Sequence, residues 1–447
     1  MKKKLLSILL SATMAAAMLA GCGNSSSQNT PTQDPAPAQT ETPSNTETPA
    51  NNETPAESTG GTLVYWSMWE ATEPQAQVIQ AAVDKYMADT GVTVDLQFKG
   101  RTGQREGLEA ALAAGQQIDI FDEDVDRVNG TWGSYLMDLE SLVAETGYEQ
   151  KASPALMQIA RDVAGGTLKS IPYQASVFAF FYNQDLFDQA GITAVPTTWS
   201  EFLDVCQKLK DAGIVPITCD DAYIDCMIGY HLGRLGGEDK VVDIVTNGKW
   251  DDPIVKQMAE DYEELASKGY FSPNLAQNVW PAGQNTELAL GGAAMYLNGS
   301  WLPNEVKNMT GPDFRWGCFS YPAVDGGVDG TEALNVSNQV LAINKDSKMA
   351  KEAFNLITYI TQGEFDAMMA EQAVSIPTDT TNTTWPKLMA NVKPVYEGIT
   401  AEGRYSWAVG VESNNDITPI IKENFTKLCA GSMTAQEFVD AMIAASK

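Results

Sequence analysis

Histidine is almost missing from this chain: His231 is the only one among 447 residues. A zinc site built on several imidazoles is thereby excluded, and a Ser–His–Asp or Cys–His centre would have to be built on that one residue. Cations are also scarce, with 29 Lys and Arg against 58 Asp and Glu and a formal charge of −29 at pH 7. Nucleic-acid binding rests on neutralising phosphates with Lys and Arg, so this balance excludes nucleic acid and disfavours polyanionic ligands in general. There are 6 cysteines. Beyond Cys22 they are Cys206, Cys219, Cys226, Cys318 and Cys429, an odd set that cannot pair fully. In a large domain with its own core, buried free thiols are the expectation, although a Cys219–Cys226 bridge stays open at an oxidising surface. Their spacing suits no zinc motif. No Gly-x-Ser-x-Gly and no Walker A motif occurs. Neither a metal nor a cofactor is implied.

What is present begins at the N-terminus. Met1-Lys-Lys-Lys4 is basic, Leu5 to Leu19 is apolar and uncharged, and Leu19-Ala20-Gly21-Cys22 follows. The run is shorter than the roughly 20 residues of a membrane span and fits the apolar centre of a signal peptide. Small residues before a Cys resemble the lipobox of bacterial lipoproteins. That resemblance implies a signal peptide over 1–21 and lipidation of Cys22, with more than one acyl chain giving stable anchoring in the lipid bilayer. An ordinary secretory signal followed by a coincidental Cys is the alternative. From Gly23 to Gly60 there is no aromatic residue and no aliphatic one larger than Ala. Such a segment cannot offset its ordering entropy, so 22–60 is expected to be a disordered tether partly stiffened by proline.

The remainder, from Gly61 to Lys447, exceeds one hydrophobic core and suggests two lobes. Leu63 to Trp66 reads as a strand. Pro74 opens a helix that Gly91 ends, Val92 to Phe98 is a second strand, Gln104 to Ala114 is helical, and Ile118 to Phe121 is a third strand. This alternation is that of a parallel α/β sheet. Further strands are expected at 177–182, 214–218, 293–297, 314–321 and 340–344. Helices are expected from Thr198 to Ala212, from Asp252-Pro253 to near Gly269, and over 347–360. Thr198-Trp-Ser-Glu201 and Thr434-Ala-Gln-Glu437 are capping boxes.

Several segments together are similar to one family. They are Ala110-Ala-Leu-Ala-Ala-Gly-Gln116 with Asp119-Ile120, Ile171-Pro172 followed by Phe181-Tyr-Asn-Gln-Asp-Leu-Phe187, Pro196-Thr-Thr-Trp-Ser-Glu-Phe202, Leu209-Lys-Asp-Ala-Gly-Ile-Val-Pro216, and Gly291-Gly-Ala-Ala-Met-Tyr-Leu-Asn-Gly-Ser-Trp301. The set resembles the sugar-type extracellular solute-binding proteins of ABC importers, remote relatives of maltodextrin-binding protein. The resemblance implies an α/β, two-lobe, periplasmic-binding-protein-like fold with a hinged interlobe cleft, closing around a ligand. Lobe one would comprise 61–172 plus 334–379, and lobe two 173–333 plus 380–447. It also implies a monomer on the extracellular face of the cell membrane, a carbohydrate ligand, membrane subunits of an ABC permease as partners, and no catalysis.

A sugar needs flat aromatics for its C–H faces and carboxylates, amides or Arg for its hydroxyls. Ligands in open α/β sheets sit beyond the carboxyl ends of strands, which selects the loops to read. After the first strand come Trp66, Trp69 and Glu70. One Trp is expected in the core, with Trp66 and Glu70 facing the ligand. After the third strand, Asp122, Asp124 and Asp126 match the opening of a calcium loop, but Arg127 stands where the turn Gly belongs and Gly133 where the bidentate Glu belongs. Asp122 and Asp124 are therefore read as hydroxyl acceptors, against a solvated acidic loop. Tyr173 is placed on the cleft floor. Asp220 and Tyr223 lie on lobe two's rim, Trp280 precedes a helix, and Arg404 and Trp407 lie in a late lobe-two loop. For each Trp, core packing is the competing role. Trp301 is the sharpest case. After the Asn298-Gly299-Ser300 break, spacing alone leaves core plug and exposed platform equal, whereas the resemblance favours a platform that stacks on the sugar.

Three functions compete: delivery of a carbohydrate, most simply a neutral oligosaccharide, to a permease; binding of a carbohydrate by a surface sensor or adhesin without transport; and glycoside hydrolysis by paired carboxylates such as Glu70 and Asp122.

Overall fold

The structure is a computed structural model that describes residues 61–389, 393–397 and 403–447. The expected signal peptide, Cys22 and the tether lie outside the described residues.

Lobe one begins as the sequence pattern predicts. β1 (Thr62–Ser67) lies parallel to β2 (Thr93–Phe98) and to β3 (Ile120–Asp124). The helix Pro74–Thr90 joins the first two. Proline at its start has no N–H to leave unsatisfied, and Gly91, at φ 73°, ends it by donating its N–H to Met87 O. Val78, Ile79, Ala82, Val83 and Tyr86 recur at helical spacing and are buried, packed against the helices Ala350–Thr361 and Glu364–Ala373. Lobe two holds β5 (Ile217–Thr218), β6 (Met295–Gly299), β7 (Trp316–Phe319) and β9 (Arg404–Tyr405). Both capping boxes form, at Thr198/Glu201 and Thr434/Glu437.

Two long strands run through both lobes. β4 (Ser170–Asn183) and β8 (Leu334–Ile343) pair antiparallel from Ser170↔Ala342 to Phe178↔Asn335, with a register shift between Pro172 and Gln174. β8 also pairs with β3 on its lobe-one end, and β4 with β6 and β7 on its lobe-two end. The sheet is therefore continuous, in the order β2-β1-β3-β8-β4-β6-β5.

One face of this sheet carries two separate cores. In lobe one, Leu63, Tyr65, Ile79, Tyr86, Ile171, Leu341 and Ile357 pack together. In lobe two, Phe180, Phe202, Ile228, Tyr262, Phe319 and Phe425 do so. The opposite face is covered by Trp66, Leu108, Phe121 and Trp132 at one end and by Val177, Phe181, Leu302 and Val306 further along.

The structure corrects several expected boundaries. The expected break at Asp122 is not there: β3 continues to Asp124 because β8 supplies a ladder partner as far as Gln339. β4 starts at Ser170 rather than 177, so Ile171-Pro172 is part of the strand that crosses between the lobes. Asn298 and Gly299 belong to β6, and a new helix, Leu302–Thr310, opens directly after Trp301. Arg404 is not in a loop but in β9, beside Leu334. All five described cysteines are buried free thiols, so Cys219 and Cys226 are not bridged.

Candidate functional site

The Asn298-Gly-Ser-Trp element is built by a close approach. The Trp301 indole folds back over Gly299, so that a Cβ placed there would lie 2.2–2.3 Å from the ring carbons Cη2, Cζ2 and Cζ3. Only glycine leaves room. The ring, half-buried, meets three other aromatics. Phe178 on β4 lies 6.1 Å from Trp301, 5.6 Å from Tyr223 and 5.6 Å from Trp407, and Tyr223 lies 6.4 Å from Trp301 and 6.0 Å from Trp407, centroid to centroid. These are tilted and edge-on contacts in the favoured range. Three separately predicted residues, Tyr223, Trp301 and Trp407, thus converge on a fourth, Phe178, that is buried and was not foreseen.

Asp220 sits behind this wall rather than on it. Its Oδ1 accepts from the N–H groups of Ala222 and Tyr223 at 2.7 and 2.9 Å, and its Oδ2 accepts from the Tyr296 hydroxyl. Burial pushes its carboxyl above the ordinary value. It therefore orients the turn that presents Tyr223. Trp280 is 41% exposed and joined to Pro281 by a cis peptide; its N–H donates to Asp221 Oδ1 at 2.9 Å. Nearby Glu305, exposed on the helix after Trp301, accepts from Asn285 Nδ2 at 3.3 Å. Glu305 and Asn285 were not foreseen.

On the lobe-one side both tryptophans are buried, each in a different core, so Trp66 does not stand out as the exposed one that was expected. In β1, alternation sends Leu63 and Tyr65 to one face and Trp66 to the other. Trp66 lies in the core opposite the cleft, opposite Phe121 in the ladder and with Lys99 Nζ 3.8 Å above its ring. Trp69 is buried too, in the lobe-one core on the face that Tyr65 shares. Its indole N–H donates to Tyr173 Oη at 2.6 Å, and the Arg101 guanidinium lies 4.7 Å over its ring while paired with Glu73 at 2.9–3.0 Å. Glu70 is exposed and its carboxylate rests against Gly100.

Asp122 and Tyr173 are fully buried. Asp122 accepts from Tyr65 Oη at 2.5 Å, Ser67 Oγ at 2.9 Å, Met68 N at 2.7 Å and Tyr173 Oη at 3.3 Å. Burial pushes its carboxyl up to about 6. Four donors occupy both oxygens, so here Asp122 ties β1, β3 and β4 together instead of offering acceptors to a hydroxyl. Asp124 caps the helix Val125–Trp132 and accepts from Ser337 Oγ at 2.7 Å; burial, then the neighbouring Asp126, raises its carboxyl. Arg404 pairs with Asp126 at 2.8 Å and donates from Nε to Val336 O at 3.1 Å, so it spans the two sides rather than pointing freely into a cleft.

Between the two cores, the same sheet face turns polar. Gln174 and Ser176 precede Phe178 on one face of β4, and Gln339 and Ser337 stand directly opposite them on β8. Ser337 and Gln339 are half-buried. The signal for this strip was legible: in Tyr173-Gln-Ala-Ser-Val-Phe178 the polar residues alternate within an otherwise apolar run.

The family model described as "Bacterial extracellular solute-binding protein" matches residues 70–364, more than half of the chain. A "Probable ABC transporter-binding protein" of Deinococcus radiodurans is 26% identical over 316 residues, covering 66% of this chain and 71% of that protein. The "Diacetylchitobiose binding protein" of Streptomyces coelicolor is 25% identical over 227 residues, 46% of each chain. The chain spans about half the length of most of the curated relatives it matches. Among solved structures, a "Chitin oligosaccharide binding protein" superposes with a TM-score of 0.66 at 21% identity, covering 87% of this chain and 98% of that one, which shows the shared two-lobe fold.

Proposed function

The chain belongs to the bacterial extracellular solute-binding proteins, and we propose that it captures a neutral oligosaccharide between its lobes and delivers it to an ABC permease. The lobes are assigned as 61–172 plus 334–379 and 173–333 plus 380–447. The observation that carries the reading is the aromatic wall of Trp301, Tyr223 and Trp407, partly buried where it packs on Phe178 at the edge of the lobe-two core, beside a polar strip. Flat rings beside placed amides and hydroxyls suit a sugar's C–H faces and hydroxyls. Arg101 and Arg404 are both engaged by carboxylates, which argues against a phosphate or uronate ligand. Trp280, Glu70, Glu305 and Asn285 form the rim in this reading.

Family members are binding proteins, and we assign no catalysis to this one. Asp122, already saturated by donors, is not free to protonate a leaving group as glycoside hydrolysis requires. Among the described residues no helix is long and apolar enough to cross a membrane. Attachment is assigned to a lipidated Cys22, with the domain a monomer outside the cell.

The test is a glycan panel followed by both melting temperature and product analysis. A ligand that raises the midpoint and is recovered intact supports the reading. Released monosaccharide sinks it in favour of an enzyme, and binding without permease-dependent uptake of the same sugar favours a sensor or adhesin.

A further inference from the structure

The polar strip has unused hydrogen-bonding capacity. Gln174 is 4% exposed and Ser176 likewise 4%. Gln174 Oε1 and Gln339 Oε1 are both buried without a partner. Among the described residues, the one bond from Ser176 Oγ, to Ser337 O, is long at 3.4 Å. Buried acceptors are almost always satisfied in folded proteins, so two unpaired amide oxygens, side by side in directly paired positions, point to a donor that arrives from outside the chain.

Their position says what kind. Successive same-face residues on a strand are about 7 Å apart, so the row Phe178–Ser176–Gln174 extends about 13 Å from the aromatic wall toward lobe one. That exceeds a single hexose ring. At the lobe-one end stands Asp124, in register with Gln339 and hydrogen-bonded to Ser337. Amides and hydroxyls both accept and donate, as sugar hydroxyls do, while the neighbouring Asp124 carboxylate disfavours ligand carboxylates and phosphates, which only accept.

We propose that Gln174, Ser176, Ser337 and Gln339 are the hydroxyl-reading half of the site, so that the ligand has at least two sugar rings, one stacked on the Trp301 wall and the next lying along the strip. This deepens the binding function proposed above and rests on it. The strip sets the preference for an uncharged oligosaccharide over its monosaccharide and over an acidic analogue.

The test uses calorimetric titration of the purified domain with diacetylchitobiose, raffinose and maltotriose, each beside its constituent monosaccharides, and carries the best binder forward. Gln174→Leu and Gln339→Leu are each expected to weaken that oligosaccharide at least tenfold while changing monosaccharide binding less than threefold. Ligand-free melting temperatures of these variants should stay equal or rise, because a buried unsatisfied oxygen is replaced by a methyl. Ser337→Ala, at a half-exposed position, supplies an independent variant should a Leu substitution fold poorly, and should weaken the oligosaccharide selectively. Trp301→Ala separates the two levels of the proposal. If Trp301→Ala abolishes binding but the strip variants leave the oligosaccharide affinity unchanged, the strip assignment is overturned and the binding site stands. If an oligosaccharide binds and Trp301→Ala has no effect, the site itself is wrong and the strip falls with it.

Discussion

Replacing Gly299 by Ala is the most discriminating single change. The added Cβ would lie 2.2 Å from the nearest indole carbon of Trp301. Carbon atoms in contact settle near 3.5 Å or more, so the ring must retreat by about 1.3 Å or swing outward. Gly299 has no positive φ among the glycines that do, so Ala strains nothing in the backbone, and the whole effect passes through the indole. Trp301 is only half-buried and can move toward solvent, which places the stability cost at the low end of the roughly 1–3 kcal/mol typical of overpacking. The loss in binding should be larger. The Trp301–Phe178 and Trp301–Tyr223 centroids, at 6.1 and 6.4 Å, already sit near the ~7 Å limit of useful ring contact. A displaced indole leaves both and no longer presents its face at the right height. A penalty of about 2 kcal/mol corresponds to roughly thirtyfold in Kd. Calorimetry with the best glycan, alongside thermal melting without ligand, checks this. A variant that loses several degrees of Tm yet binds with unchanged affinity would mean that Trp301 is a core plug, and the platform reasoning would be refuted.

The other expectations are direct. Cys22→Ser should release the protein from membranes into the soluble fraction, measured by fractionation; a variant still retained would contradict the lipid anchor. Ellman's reagent should find no reactive thiol in the native domain and five after denaturation, since Cys206, Cys219, Cys226, Cys318 and Cys429 are all buried and free. The carboxyl of Asp122 is raised from 3.8 to about 6, so the folded state holds its proton more firmly than the unfolded chain. The stability this gives is full below pH 3.8 and lost as pH rises through 6. Asp124 and Asp225, also raised by burial, act in the same direction, whereas His231, lowered by burial, acts oppositely. Asp122→Asn should therefore flatten the fall in Tm between pH 5 and 7 relative to the parent protein, and an unchanged slope would count against the assignment. Trp66→Phe should lower Tm through lost packing but leave glycan affinity within twofold, because its ring lies on the sheet face away from the cleft.

What could be read from the sequence divides along physical lines. Local signals served well. Pro74, Gly91 and the two Thr-x-x-Glu boxes act through their own backbone neighbours, and the structure has them where they were expected. Non-local pairing did not announce itself. Ile118 to Phe121 looks like the whole of a strand because Asp122-Glu-Asp is acidic, yet β8, over 200 residues later, carries the ladder on to Asp124. Of the site, the aromatics were legible as residue types near strand ends. Which face they occupy was not, and Trp66 shows why: the parity of β1 sends it to the core opposite Tyr65, while Trp69, just past the strand's end, is buried in the other core. Phe178 was hidden inside an apolar strand, and the polar alternation of Gln174 and Ser176 was visible but had no meaning until β8 was placed beside it.

The shared seam of β4 and β8 also bears on the order of assembly. It joins Ile120 on β3 to Ile343, and Ser170 to Ala342. No stretch of chain that stops short of the 340s can complete the lobe-one sheet; it leaves β3 with an open edge, which is an invitation to mispairing. Contacts this distant in sequence close slowly. If residues 1–21 act as the proposed signal peptide, lateness is useful: the chain stays threadable until most of it has been synthesised. β8 in turn supplies the edge on which β9 pairs, and the helices that finish both cores follow it in the chain, so neither lobe is complete until nearly the whole chain is available.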